Sequence, residues 1–227
     1  TATDGGDSLA VTSSPFTLAI NSASQLVVTS QPSPAVDGAN FSPDVEVALE
    51  DVGGNIETGI STGTITLAIS SQPTSGASVS CVDTSILPTS GIADFTNCNL
   101  TGTTGAYTLK ATRTGVTAAT SASIIITPAA ASQLVFATPP GGGTDGQALS
   151  ASPVVDVEDV GGNVISSNAA VTLSINSAPT GGGSLSCDEN PVTAVAGVAT
   201  FTNCSITGAV GSYTLTASAS GLSLVTS

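Results

Sequence analysis

Asp44-Val45-Glu46-Val47-Ala48-Leu49-Glu50-Asp51-Val52-Gly53-Gly54-Asn55 reads as an alternating strand that runs straight into a turn. Val45, Val47 and Leu49 fall on one face, and Asp44, Glu46 and Glu50 fall on the other. That is a period of two, whereas an amphipathic helix repeats every 3.6 residues. In the turn, Gly accepts φ > 0 and Asn tolerates the left-handed region. The stretch from Glu50 to Asn55 returns unchanged as Glu158 to Asn163, 108 positions later.

Working outward, Ala23-Ser24-Gln25-Leu26-Val27 returns at the same offset as Ala131-Ser132-Gln133-Leu134-Val135. Phe95-Thr96-Asn97-Cys98 returns as Phe201-Thr202-Asn203-Cys204, and Tyr107-Thr108-Leu109 as Tyr213-Thr214-Leu215, both now 106 positions on. Matches in one order across the whole unit identify two copies of one fold. Thr64-Ile65-Thr66-Leu67-Ala68-Ile69 and Val171-Thr172-Leu173-Ser174-Ile175 alternate as well. About seven such runs per unit, parted by Gly, Pro, Asn and Ser, predict a two-sheet antiparallel sandwich. The expected organisation is all-β, with one sandwich over residues 23–130 and a second over 131–227. With no Trp and few aromatics, Val, Ile and Leu must fill the cores. Phe95 and Tyr107 anchor the first copy and Phe201 and Tyr213 the second.

Composition narrows the function. Two cations, Lys110 and Arg113, face sixteen acids, for a formal net charge of −14. Nucleic-acid binding needs clustered Lys and Arg, and so does docking on anionic lipid. Neither partner is expected, and no apolar run approaches the roughly 18 residues of a membrane span. The absence of His removes Ser–His and Cys–His nucleophiles, so no enzyme and no cofactor are expected. Gly141-Gly142-Gly143 has no Lys and no helix pattern after it, and reads as a turn, not a phosphate loop.

Ala131-Ser132-Gln133-Leu134-Val135-Phe136, the run from Pro153 to Val164, Val171–Ile175, Gly197–Ile206 and Gly211–Ala217 stand in an order that resembles the bacterial immunoglobulin-like repeats of tandem surface proteins. These are akin to the stalks of the invasin and intimin group. The resemblance covers nearly the whole chain, twice. It implies immunoglobulin-like sandwiches in extracellular tandem arrays and says nothing of a ligand.

Each unit has two cysteines, Cys81 and Cys98 in one and Cys187 and Cys204 in the other, both pairs 17 positions apart. Four cysteines allow three pairings, and the repeat selects one bridge within each unit. Free buried thiols are the weaker alternative. A zinc site would want short Cys-x-x-Cys spacing. Bridges predict an oxidising compartment, hence a secreted or cell-surface protein.

The ends of the repeat fall out of phase. Thr12-Ser13 matches Thr120-Ser121 and Thr226-Ser227, so residues 1–22 align with the end of a sandwich that would precede the first. The second sandwich, by the same alignment, lacks its last strand. Leu9, Val11, Phe16, Leu18 and Ile20 are then the apolar face of a strand that completes a neighbour. The expected partners are identical copies or neighbouring repeats, head to tail, joined either in one long polypeptide or by strand exchange. Both arrangements extend without closing and give a filament.

Weaker signals have plainer readings. The Asp51–Asn55 and Asp159–Asn163 segments could offer oxygens to calcium, but a β-turn explains them better. Lys110 has no counterpart in the second unit, which speaks against a repeated Lys–Asn isopeptide bond. Asn40, Asn99 and Asn203 fit the N-glycosylation pattern, which chance supplies readily in a chain rich in Ser and Thr. The leading function is a structural filament or stalk. The alternative is an adhesin binding module that recognises carbohydrate, as a surface glycan, or a host surface protein. That alternative would want exposed aromatic platforms, and the two Tyr share one repeat position.

Overall fold

The computed structural model describes residues 12–227, and their regular structure is entirely β. The first unit contains β1 (Gln25–Ser30), β2 (Ala35–Val36), β3 (Val45–Glu50), β4 (Ile65–Ser71), β5 (Ser78–Ser80), β6 (Ser85–Ile86), β7 (Ile92–Phe95), β8 (Asn99–Thr101), β9 (Gly105–Thr112), β10 (Ala119–Thr120) and β11 (Ile124–Thr127). The second contains β12 (Gln133–Thr138), β13 (Val154–Glu158), β14 (Ala170–Ser177), β15 (Gly183–Ser186), β16 (Val192–Thr193), β17 (Val198–Thr200), β18 (Ser205–Gly208), β19 (Thr214–Ser218) and β20 (Val225–Thr226).

In the first unit β1, β3 and β7 form one sheet, and β2-β11-β9-β4-β6 form the facing one, with β10 also on β9. Alternation along each strand decides what goes between them. Val45, Val47 and Leu49 of β3 and Tyr107, Leu109 and Ala111 of β9 are buried, while Lys110 and Thr112 point out. Burying one such aliphatic side chain is worth about 1.5–3 kcal/mol. Phe95 and Tyr107 are among the largest fully buried side chains, as is Phe201 in the second unit. Each unit has its own core, the second built on Val155, Val157, Val171, Leu173, Phe201 and Leu215. Repetition extends to irregularities: a register shift between Val28 and Ser30 against β3 recurs between Phe136 and Thr138 against β13.

Cys81 is bonded to Cys98 and Cys187 to Cys204. The first bond sits just beyond the Ser80–Asn99 pair and closes the β5–β8 ladder; the second does the same at Ser186–Ser205 for β15–β18. These ladders are short and stand apart from the main sheets. A covalent tie therefore holds them where few strand contacts would.

The copies differ at β11. β11 lies between β9, to which it is antiparallel (Ile124 opposite Tyr107, Ile126 opposite Gly105), and β2, to which it is parallel (Ile126 beside Ala35). Ile124 and Ile126 are buried beneath it, and Ile125 is turned out. The second unit tracks the first as far as Ser227. That residue bonds to Leu215 through both its amide and its hydroxyl, as Ser121 does to Leu109. Among the described residues no strand occupies the place equivalent to β11, and β19 lacks the counterparts of Gly105, Ala106 and Tyr107, the three β9 residues that β11 pairs with.

Candidate functional site

Asp159 organises the junction between the units. Its Oδ1 accepts from the Gly161 and Asn163 amides at 3.0 and 2.9 Å, and both carboxylate oxygens accept from the Asn163 side chain. Its Oδ2 accepts from the Ala129 amide at 3.0 Å, which pins the linker that leaves β11. Every one of these partners is a donor. The carboxylate is thus turned inward onto N–H groups, an arrangement that suits an anion-held turn and not a cation. No cluster of three or more metal-ligating side chains occurs among the described residues.

The turn so fixed docks onto the first unit. Asn163 Nδ2 donates to the Gly102 carbonyl at 3.0 Å, and its Oδ1 accepts from the Thr104 amide at 2.9 Å. Its one side chain closes a two-way bridge between the units. Beside it, Asp37 Oδ1 accepts from the Gly102 amide at 2.9 Å. Asp37 is buried, and its Oδ2 lies against Gly161 without a hydrogen-bond partner. Burial, and then the charge of Asp159, push the Asp37 carboxyl above its ordinary range, against the pull of the Gly102 amide. Gly161 is required by proximity: a Cβ there would collide with the Asp37 carboxylate and come within 2.6 Å of the Gly102 carbonyl oxygen.

Both halves of this junction recur at the far ends of the chain. Asp51 accepts from Gly53, from the Asn55 amide and side chain, and from the Asn21 amide at 3.0 Å. Asn21 is the counterpart of Ala129, so residues 12–22 stand to the first unit as residues 120–130 stand to the second. With so many donors, the bond from the Asn55 amide foremost, the Asp51 carboxyl is pulled down to about 2. Yet Asn55 is exposed and, among the described residues, makes no bond beyond its own turn. At the other end, Asp145 Oδ1 accepts from the Gly208 amide at 2.8 Å, as Asp37 does from Gly102. Asp145 is exposed where Asp37 is buried, and Val210, the counterpart of Thr104, is 93% exposed.

Next to that end lies a groove of about 340 Å³, lined by Gly141–Asp145, Leu149, Ile206 and Gly208–Tyr213. By the repeat, Gly143–Thr144 correspond to β2 and Gly211–Tyr213 to the start of β9. The groove is therefore the place that β11 fills in the first unit. Tyr107, under β11, is buried and donates its hydroxyl to Thr103 O at 2.6 Å. Tyr213 makes the same bond to Ala209 O at 2.7 Å but stays half-buried, open to the groove.

The residues singled out from sequence fall as follows. Leu9 and Val11 lie outside the described residues. Phe16 and Leu18 are 79% and 89% exposed and align with Ile124 and Ile126; Ile20 aligns with Pro128, just past β11. Asn99 donates to Asn40 at 3.2 Å, Asn40 donates to Asn97 at 3.3 Å, and Asn203 donates to Asp188 at 2.6 Å. Asp37, Asp145, Gly102 and Gly208 had not been singled out. The available signal was the pair Asp37-Gly38 and Asp145-Gly146, which repeats at the 108-residue offset.

No protein-family model matches the chain, and no curated protein matches it. Among solved structures it is similar to the D0–D1 domain of intimin, at 16% identity and a TM-score of 0.30, covering 90% of this chain and 97% of that one. Domains 5–6 of the S-layer protein SbsC match at 17% identity and a TM-score of 0.31, over 92% and 96% of the two chains. Parabacteroides merdae β-glucuronidase matches at 14% identity and a TM-score of 0.30, and there the chain spans 24% of the enzyme's length.

Proposed function

We propose that this chain is a section of an extracellular structural stalk or filament, built from immunoglobulin-like sandwiches in series and stiffened at each junction. The observation that carries the reading is the Asn163 bridge to Gly102 and Thr104, together with the same turn and the same receiving face at the two ends. A pinned linker and a docked turn hold successive units in one orientation, which a spacer under load needs and a flexible tether does not. The disulfides support an oxidising, exposed setting. Two cations among 227 residues leave trypsin-like proteases few places to cut, which suits a polymer exposed to the environment. Strand complementation, with Leu9, Val11, Phe16, Leu18 and Ile20 as the donated face, is the means by which sections would join where the polypeptide does not.

Backbone 15N relaxation on the reduced-concentration monomer tests the stalk. A stiff section tumbles as one elongated body, with a common anisotropic correlation time for both units. Independent tumbling of the two units would sink the reading.

A further inference from the structure

We infer that the Cys81–Cys98 bond is a redox-operated lock on the junction between the two units: a dithiol that opens it releases the docked Asp159–Asn163 turn while both sandwiches stay folded. The inference rests on the stalk reading above and gives its stiff junction a means of control.

The lock works through position. The bond ties β5 to β8 at one end of their ladder, next to the Ser80–Asn99 pair. At the other end Ser78 faces Thr101, and the next residue, Gly102, offers its carbonyl to Asn163. Thr104, whose amide donates to the same side chain, follows at once. Cys98 to Gly102 is a short run of extended chain, roughly 13 Å. Two paired strands hold poorly by themselves, and β5 and β8 belong to neither main sheet.

The opposite edge of β8 carries the rest of the receiving face. Phe41 donates its amide to the Cys98 carbonyl at 2.7 Å, and Gly38 donates to the Leu100 carbonyl at 2.8 Å. Asp37, which accepts from the Gly102 amide, heads this segment. Val160 of the docked turn lies over Gly38, close enough that a Cβ there would come within 3.3 Å of it. Asp37, Gly102 and Thr104 are thus all held through β8, and β8 is clamped at Cys98. A continuous hydrogen-bonded ladder joins the clamp to the junction. Tyr107 still ties Thr103 to β9, so opening the bond loosens the face without detaching it.

The sulfurs are unequally accessible, since Cys81 is half-buried and Cys98 fully buried. A thiolate of the reductant attacks Cys81 Sγ, the S–S bond breaks, and Cys98 leaves as a thiolate that takes up a proton. The second thiol of the reductant attacks the mixed disulfide, displaces the Cys81 thiolate, which is protonated in turn, and closes the reductant's own disulfide. Two electrons pass to the protein. Cys98 Sγ lies 3.3 Å from the Phe95 carbonyl oxygen, so the new buried thiol has an acceptor at hand. The two main sheets pair without either cysteine and keep the sandwich closed. The Cys187–Cys204 bond heads a ladder that ends at Gly183 and Gly208, which make no hydrogen bond to the first unit among the described residues.

Amide hydrogen exchange and 15N relaxation of the whole chain, before and after dithiothreitol, test the lock. Reduction should speed exchange of the Thr104 amide about tenfold or more, because its acceptor on Asn163 departs. The two units should then take separate correlation times, while amides of β3 and β9 keep their protection. Cys187→Ala with Cys204→Ala should leave this response intact. Cys81→Ala with Cys98→Ala should show the loosened junction from the start and gain nothing from dithiothreitol; should either variant fail to fold, the unsubstituted chain still reports through Thr104. Thr104 protection and common tumbling that survive reduction would overturn the inference. Loss of protection across β3 and β9 would overturn it too, by showing a plain staple of the first sandwich. So would a response to dithiothreitol that persists without Cys81 and Cys98. Separate tumbling of the oxidised chain is a different result, which sinks the stalk and leaves no junction to unlock.

Discussion

Asn163 and Gly102 are 61 residues apart in the chain and 3.0 Å apart in space, and their hydrogen bond joins the two sandwiches. Asn55 occupies the same turn in the first unit, with the same bonds to its own aspartate and, among the described residues, none to another unit. The pair is a built-in control for what docking adds to a turn.

Asn163→Ala should therefore cost more than Asn55→Ala. Both lose the bonds to the turn aspartate, but only the first also leaves the Gly102 carbonyl and Thr104 amide without partners. The difference should be about 1–3 kcal/mol, the sum of two modest hydrogen bonds. Chemical denaturation of the two variants measures it, and interdomain relaxation data should show loosening for Asn163→Ala alone.

Acidification should tighten the junction. The Asp37 carboxyl sits above its ordinary range because it is buried and faces Asp159. A raised acid binds more protons folded than unfolded, so its contribution is fully present below the unfolded value, near 4, and is lost as pH rises through the folded value. Asp37→Asn keeps an acceptor for the Gly102 amide and removes the charge. It should raise stability at neutral pH and flatten the dependence between pH 4 and 7. Glu158 is also raised by burial and is left intact in this variant, so its share stays in the residual slope. Thermal melts across that range decide the matter.

Removing one disulfide should destabilise its own unit only. Cys81→Ala with Cys98→Ala opens a loop of 17 residues, worth roughly 3 kcal/mol in the chain-entropy model. Calorimetry should show one transition lowered and the other, holding Cys187–Cys204, in place. Equal movement of both would mean that the units unfold as a single cooperative block.

The two tyrosines should respond unequally. Tyr107→Phe removes a buried bond to Thr103 O and leaves that carbonyl to find another partner, at a cost of about 1–2 kcal/mol. Tyr213→Phe loses bonds to Ala209 and Gly182 at a half-open site where water can substitute, so its cost should be smaller.

The β architecture was legible because it rests on a local pattern. Val45, Val47 and Leu49 alternate with acids whatever they pack against, and Tyr107 and Tyr213 mark the same register in each copy. Thr12-Ser13, Thr120-Ser121 and Thr226-Ser227 likewise align on sequence alone, without any knowledge of contacts. What the residues could not disclose was docking. Asp51–Asn55 and Asp159–Asn163 are identical in sequence, so nothing local separates the turn that meets a neighbour from the turn that meets water. Nor does spacing reveal that the acceptors of Asp51 are filled by N–H groups, which is why calcium stood as an alternative for that segment. Asp37 was missed because its significance comes from contacts with Gly102, Asp159 and Gly161, all 65 or more positions away.

The parallel pairing of β2 with β11 bears on how a unit would yield when its ends are drawn apart. Tension enters through the start of β1 and leaves through the end of β11, so β2 and β11 are dragged past each other along their length. Their hydrogen bonds are then loaded in shear, all together, and do not peel open one after another.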